Sequence, residues 1–350
     1  MGSEMCIRDS KQVIDLSVTL KEVAERAGVS RSAVSRAFTK GASVSESMRL
    51  KVEKASAELG YTPNALASSL TTGRTHLIGL ISNNFHNPLF LEVFDLFTRG
   101  LQERGLRPLL VNLTDETDPE HTVRMLRQYS VDGVVVASST LTPAFSAAFK
   151  EAGIPVVHTF GRLSNNPEVH VVGIDNVECG RIAARELVTR GYKKVAFLGG
   201  PESATSTQDR IAGFSRELAT HPDIEVQQSF VDAYSFPAGR KEMQRLLQID
   251  NTVEAYFCGD DVLSIGALSA IQDAGLQVPD DIGLIGLNDM EMSGWQNINL
   301  TTIRQPIEQI ISSSIELVVD LLDKPQQSPQ ARLFASQVVE RGTLKPRRDG

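Results

Sequence analysis

Near the amino end, apolar residues fall at helical spacing in two short bursts. Leu20, Val23, Ala24 and Ala27 form one stripe, Gly28-Val29-Ser30 interrupts it, and Val34, Ala37 and Phe38 resume it. Glycine enters a left-handed turn at no steric cost and serine caps the helix that follows, so the pattern predicts two short helices joined tightly. Such a pair is a helix-turn-helix, whose second helix lies in the major groove of DNA. Its outer face would carry Arg31, Ser32, Ser35 and Arg36, with Ser30 at its start, groups suited to phosphates and base edges. An ordinary solvated helix could show the same face. The segment that follows decides between them.

A third helical pattern runs from Ser45 to Leu59, with Ser45 and Ser47 as candidate caps, and is followed by GYTPNALASSL. Pro63 suits a first helical position, and Leu66 and Leu70 then share a face. A helix of about two turns is too short to be stable alone in water, which makes it conditional, as a hinge would be.

From His76 the period changes. Short, nearly continuous apolar runs at 76–82, 107–113, 132–138, 154–160, 169–175, 193–199, 254–259 and 282–288 alternate with helical patterns at 90–104, 179–190, 210–219, 238–247 and 262–274. Strands of this kind belong to parallel sheets covered on both faces, and they are too many for one small sheet. The predicted architecture is a small all-α helix-turn-helix head followed by an α/β core of two Rossmann-like parallel-sheet subdomains. The chain would cross between them near Asp175, near Ile303 and near Lys324–Pro329. In boundaries, residues 1–17 are a leader set apart from the fold, 18–62 the head, 63–75 the hinge helix and linker, and 76–350 the core. Within the core, the first subdomain takes 76–175 and 304–324, and the second 176–303 and 325–344. Sheets of this type bind ligands at the carboxyl ends of their strands. Asp260, after EAYFCG, and Asn288, after IGLIGLN, sit at such ends, where they could bond a ligand's hydroxyls or cap the following helices.

Charge sharpens the division. The chain is −8 overall, yet residues 17–75 hold nine Lys/Arg against five Asp/Glu, leaving 26 against 38 elsewhere. A basic head on an acidic body is what results when only the head meets phosphate. The three cysteines are scattered and in no metal-binding or disulfide pattern, which fits a reducing cytoplasm. No apolar run is long enough for a membrane span. There is no GxSxG, HExxH, Walker loop or GxGxxG after a strand, and the six histidines lack metal-ligand spacing, so neither an enzyme nor a metal or cofactor site is expected.

The head resembles the lactose/galactose-repressor (LacI/GalR) family of bacterial transcription regulators, matching V-T-x-x-x-V-A-x-x-A-G-V-S-x-x-x-V-S-R and Y-x-P-N-x-x-A-x-x-L. The resemblance continues through Asn87-Pro88-Leu89-Phe90, Asp175-Asn176, RIAGF at 210–214, Gly259-Asp260-Asp261, Asn288-Asp289 and TTIRQP. It implies a core like a periplasmic sugar-binding protein and a homodimer on a pseudo-palindromic operator of double-stranded DNA. Thr19, Asn64 and Ala67 join the DNA-facing set, and Leu70 wedges the central base step from the minor groove. It further implies a small-molecule effector, a carbohydrate, held by Leu89, Phe90, Ser206, Arg210, Tyr234, Asp260, Asn288 and Gln305. Relatives often carry aspartate where this chain has Asn288, and a polar residue where it has Phe160. Ile265 and Trp295 would fall on the dimer face, and without a leucine heptad after the core no tetramer is expected. The implied function is a ligand-controlled repressor. An effector-independent architectural regulator is the alternative, and the polar cleft set speaks against it.

Overall fold

The computed structural model describes residues 18–39, 42–64, 69, 72–113, 118–249 and 252–347. Ala67 and Leu70, expected at the hinge, lie outside the described residues. The chain forms two compact units, 1–75 and 76–350.

The head is three helices, α1 (Leu20–Ala27), α2 (Arg31–Phe38) and α3 (Glu46–Leu59). Thr19 opens α1 in a capping box: Glu22 N donates to Thr19 Oγ1 at 3.4 Å and Thr19 N donates to Glu22 Oε2 at 2.7 Å. Gly28, at φ +65°, closes α1 in the left-handed conformation expected of the turn. Ser30 then caps α2, accepting from Ala33 N at 3.2 Å, and Ser45 rather than Ser47 caps α3. Val23, Ala24, Val34, Ala37, Val52 and Ala55 fill the centre. The Arg49 guanidinium donates to Ala37 O at 2.6 Å, setting a cation on the carboxyl end of α2 where the helix dipole favours it.

The core holds two six-stranded sheets. The first lobe has β1 (Leu77–Ser82), β2 (Arg107–Asn112), β3 (Gly133–Ala137), β4 (Val156–Thr159), β5 (His170–Ile174) and β11 (Ala331–Phe334) in the order β11-β5-β4-β3-β1-β2. The second has β6 (Lys194–Gly199), β7 (Glu225–Phe230), β8 (Ala255–Cys258), β9 (Gly283–Asn288), β10 (Thr302–Arg304) and β12 (Gln337–Val339) in the order β12-β10-β9-β8-β6-β7. All pairs are parallel except β10 with β12. Helices α4 (Leu89–Glu103), α5 (Pro119–Gln128), α6 (Pro143–Glu151) and α11 (Ile307–Asp323) belong to the first lobe. The second has α7 (Asn176–Thr189), α8 (Thr205–Leu218), α9 (Phe236–Ile249) and α10 (Asp261–Asp273).

The chain passes from the first sheet to the second after β5, at Asp175, and back after β10. The last crossing does not fall at the expected Lys324–Pro329. The segment after Pro329 still pairs with the first sheet, Ala331 opposite Val171 and Phe334 opposite Ile174, so the chain crosses only at 335–336. Residues 331–334 therefore belong to the first lobe, not the second. Their alternating exposure, proper to an edge strand, hid them from a search for continuous apolar runs. The edge strand β7, EVQQSF, escaped because it is exposed through its first four residues and offers no apolar run.

Candidate functional site

On the head, Arg31, Ser32 and Arg36 are exposed and Ser35 is half-buried. Arg36 Nε donates to Ser32 O at 3.3 Å, within its own helix, and among the described residues this is its one bond. Ser30 and Thr19 are exposed, but their hydroxyls serve the caps. Thr19 Oγ1 also donates to Glu22 Oε2 at 2.8 Å, a use that leaves it little for DNA. Asn64 is exposed.

In the core, Leu89, Phe90, Arg210, Asp260, Asn288 and Gln305 converge between the lobes around a space of about 20 Å³. Asn84, Ser139, Phe160, Ile174 and Asn176 complete its wall. The sequence reading named Asn176 only as part of a marker and missed Asn84 and Ser139. Each follows the carboxyl end of a strand, and that position was the available signal. Two expected residues stand apart. Tyr234 lines a separate, larger cavity, and Ser206 lines neither, its buried Oγ lacking a partner among the described residues.

Local packing sets Arg210. Helices α7 and α8 touch backbone to backbone through glycines: a Cβ on Gly180 would lie 2.1 Å from Arg210 O, and one on Gly213 1.9 Å from Val177 O. Arg210, 4% exposed, is thereby brought over Asn176, whose Oδ1 accepts from its Nε at 2.9 Å, while Nη1 donates to Gly259 O. Its guanidinium carbon stands 6.0 Å from the Tyr234 ring centre.

Asp260 is the hub. Its Oδ1 accepts from Val262 N at 2.8 Å, capping α10, and its Oδ2 accepts from Asn288 Nδ2 at 2.8 Å and Asn87 Nδ2 at 2.9 Å. Capping and the polar cleft, alternatives in the sequence, are here one residue's two oxygens. Gln305 Nε2 donates to Asn288 Oδ1 at 2.5 Å, and among the described residues Gln305 Oε1 is buried without a partner. Burial, resisted by the Val262 amide, raised further by Asp261 and opposed by Arg210, pushes the Asp260 carboxyl up to about 7. Asp261 is structural: it accepts from Thr302 Oγ1, Ser293 Oγ and Met290 N at 2.6, 2.8 and 2.9 Å, and burial raises its pKa.

Asn87 belongs to the first lobe and Asp260 to the second, so their bond spans the cleft. Ser139 O accepts from Thr205 Oγ1 at 3.2 Å and Ser206 N at 3.3 Å, also across it. Arg162 and Asp209 add an ion pair, Arg162 Nε lying 3.0 Å from both carboxylate oxygens. Trp295 is outside the cleft and 49% exposed, and Ile265 is half-buried. Burial raises the Cys179 and Cys258 thiols to about 11 and about 12, which leaves them unreactive. Among the described residues no cluster could hold a metal, and no helix is long and apolar enough to cross a membrane.

Comparison with known proteins agrees with this layout. Residues 19–64 match the family described as bacterial regulatory proteins, lacI family, and 184–344 match the periplasmic binding protein-like domain. The transcriptional repressor PurR of Aliivibrio salmonicida is 30% identical over 334 residues, 93% of this chain and 98% of that protein. PurR of Escherichia coli O139:H28 is 31% identical over 332 residues, 93% of this chain and 96% of that protein. The lac repressor dimer bound to operator and the anti-inducer ONPF superposes with a TM-score of 0.84, at 26% identity, covering 94% of this chain and all (100%) of that one. The regulator CelR in complex with cellobiose does so at 0.68, with 27% identity over 93% of this chain and 99% of that one. The chain belongs to the lacI family of bacterial regulatory proteins and is a DNA-binding transcriptional regulator.

Proposed function

We propose that the protein is a repressor that binds a pseudo-palindromic operator as a homodimer in the cytoplasm, α2 reading the major groove through Arg31, Ser32 and Arg36. Its operator affinity is set by a small polyhydroxylated ligand, a sugar or sugar acid, held between the lobes with Arg210, Asp260 and Asn288 as polar anchors. One observation carries the ligand reading. A buried polar set drawn from both lobes meets at the carboxyl ends of both sheets, and one of its acceptors, Gln305 Oε1, still lacks a donor among the described residues. A dimer is supported by the lac repressor assembly and by large exposed apolar side chains, Leu91 (77% exposed) and Trp295 among them.

Linkage requires that ligand and operator change each other's affinity by the same factor, typically about 5- to 150-fold. The test selects an operator from random DNA, then titrates it with and without candidate sugars. Arg210→Lys keeps the charge but cannot make both of the guanidinium's bonds. Its response to ligand should vanish while ligand-free operator binding stays near wild type. A full response at the same ligand concentration removes Arg210 from the site.

A further inference from the structure

The first lobe has another cavity, at the end away from the cleft. Its walls are the amino ends of β4 and β5, the turn between α6 and β4, and residues 325–329, which lead from α11 into β11. The cleft residues stand instead at the carboxyl ends of strands. The cavity has about 380 Å³, toward the small end of the range for small-molecule sites. Ile154, Val156, Val169 and Leu321, all buried, give it an apolar floor. The wall at 325–329 continues through β11 to the crossing at 335–336, so whatever the cavity holds touches chain that runs into a junction of the two lobes.

His170, the first residue of β5, also lines this cavity. It is 4% exposed, yet its Nδ1 is buried without a partner among the described residues. Burial lowers its pKa from 6.5, a backbone bond to Gln327 opposes the shift, and Arg332 and Lys150 add to it. The ring is therefore neutral at pH 7 and carries one N–H. A backbone group that favours the charged ring is an accepting carbonyl, so Gln327 O takes that N–H at Nε2, and Nδ1 keeps a lone pair. A buried acceptor left without a donor is costly, and an O–H brought by a ligand removes the cost.

Charge constrains the ligand from the other side. Lys150, exposed on α6, lines the same cavity. Its Nζ donates to Glu168 O at 2.7 Å and, among the described residues, makes no ion pair. Arg332 lies 3.9 Å from Glu316, which offsets its charge, and no Asp or Glu lines the cavity. The local field is positive, which favours an anion and disfavours an amine.

We propose that this cavity is a second small-molecule site, separate from the cleft, for a hydroxy acid of one ring. Its carboxylate meets Lys150, its hydroxyl donates to His170 Nδ1, and its apolar body lies on Ile154, Val156, Val169 and Leu321. The reading of the cleft as an effector site is not needed for this one, and either can fail alone.

The test is calorimetric titration of the full chain, without sugar or DNA, against matched one-ring compounds. The hydroxybenzoates and mandelate carry both groups, benzoate and phenylacetate lack the hydroxyl, the methyl esters of the hydroxy acids lack the charge, and benzylamine reverses it. At least one hydroxy acid should bind about tenfold or more tightly than both its parent acid and its ester, the worth of one bond to a buried or charged group. Benzylamine should not bind. Lys150→Gln should erase the preference for acid over ester and keep that for the hydroxyl. His170→Phe, which keeps a ring and removes the acceptor, should do the reverse. Lys150 is exposed, so its variant serves alone if the other does not fold. No binding by any hydroxy acid at millimolar concentration, benzylamine binding as well as the acids, or a preference for acid over ester untouched by Lys150→Gln each overturn the proposal.

Discussion

The head and the core both carry polar functional groups, but they hold them in opposite ways. Arg31, Ser32 and Arg36 lie exposed on a three-helix platform whose stability comes from a small apolar centre and three capped helices. Arg210, Asp260, Asn288 and Gln305 are 3–6% exposed and bonded to one another or to backbone. A reading surface can thus be changed without touching the fold. A buried site cannot, because each of its groups is also someone else's hydrogen-bond partner. The contrast predicts how substitutions should divide between loss of function and loss of stability.

The largest effect belongs to the glycine contact under the ligand site. Gly213→Ala puts a methyl 1.9 Å from Val177 O, and neither backbone can yield without separating α7 from α8. Overpacking of this kind should cost about 3 kcal/mol or more. In urea titration the core's transition should move to much lower denaturant, with ligand response lost in parallel and the helical signal of the head retained. An unchanged midpoint would show that the α7–α8 contact is looser than the structure has it.

On the head the expected loss is in discrimination alone. Arg36→Ala should cost about 1–3 kcal/mol at the selected operator, the worth of a bidentate arginine–guanine contact, and far less on random DNA. Its melting curve should overlay wild type, since among the described residues Arg36 bonds to its own helix alone. Equal weakening on both DNAs in a binding titration would make Arg36 a phosphate contact. Thr19→Ala would blur the comparison from the other side. It should lower the stability of the head by about 1 kcal/mol through the lost cap and weaken operator binding only as far as α1 frays. A large loss of affinity with an unchanged melting curve would give Thr19 a direct role on DNA.

The same contrast explains what could be read from the chain alone. The head was legible to single residues because its helices are local. Left-handed Gly28 and the caps Ser30 and Ser45 appear in the order in which they act, whereas Thr19, expected on DNA, turns out to cap α1. In the core the interior strands other than the three-residue β10 were legible, since burial on both faces makes them continuously apolar. Edge strands β7 and β11 were not, because their partly solvated residues look like loops. The cleft was half legible. Arg210, Asp260 and Asn288 sit where strands end, but so do many turn residues. Which of them meet is fixed by pairings between distant segments, Asn87 with Asp260 being 173 residues apart in sequence.

The smallest effect in the wild type should be its pH dependence, and it is small because the core opposes itself. Burial holds His158 down to about 4 from 6.5, its ring between Ser146 Oγ and Ser138 O. Its unfolded form therefore gains the proton first, and stability present above pH 6.5 is lost as pH falls toward 4. Asp260 works the other way. Its folded form takes up a proton near 7 against 3.8 unfolded, so stability rises as pH falls through 7 and levels off below 3.8. His170 shifts in the same direction as His158, and Glu92 and Asp261 shift with Asp260. Between pH 7 and 4.5 these slopes offset, and melting of the wild-type core should change little. His158→Gln, which can keep both neighbours as partners, should leave a core that gains stability on acidification, and Asp260→Asn one that loses it. The slope across the pH series, rather than any single melting temperature, is the readout, because Asp260→Asn also sets its amide against those of Asn87 and Asn288. The head has no histidine among residues 18–75, and Glu22, held down by its bonds from Thr19, gives up stability only toward the acid end, so its own transition should stay nearly level over most of this range. Parallel slopes in the two core variants would mean that neither group titrates differently on folding.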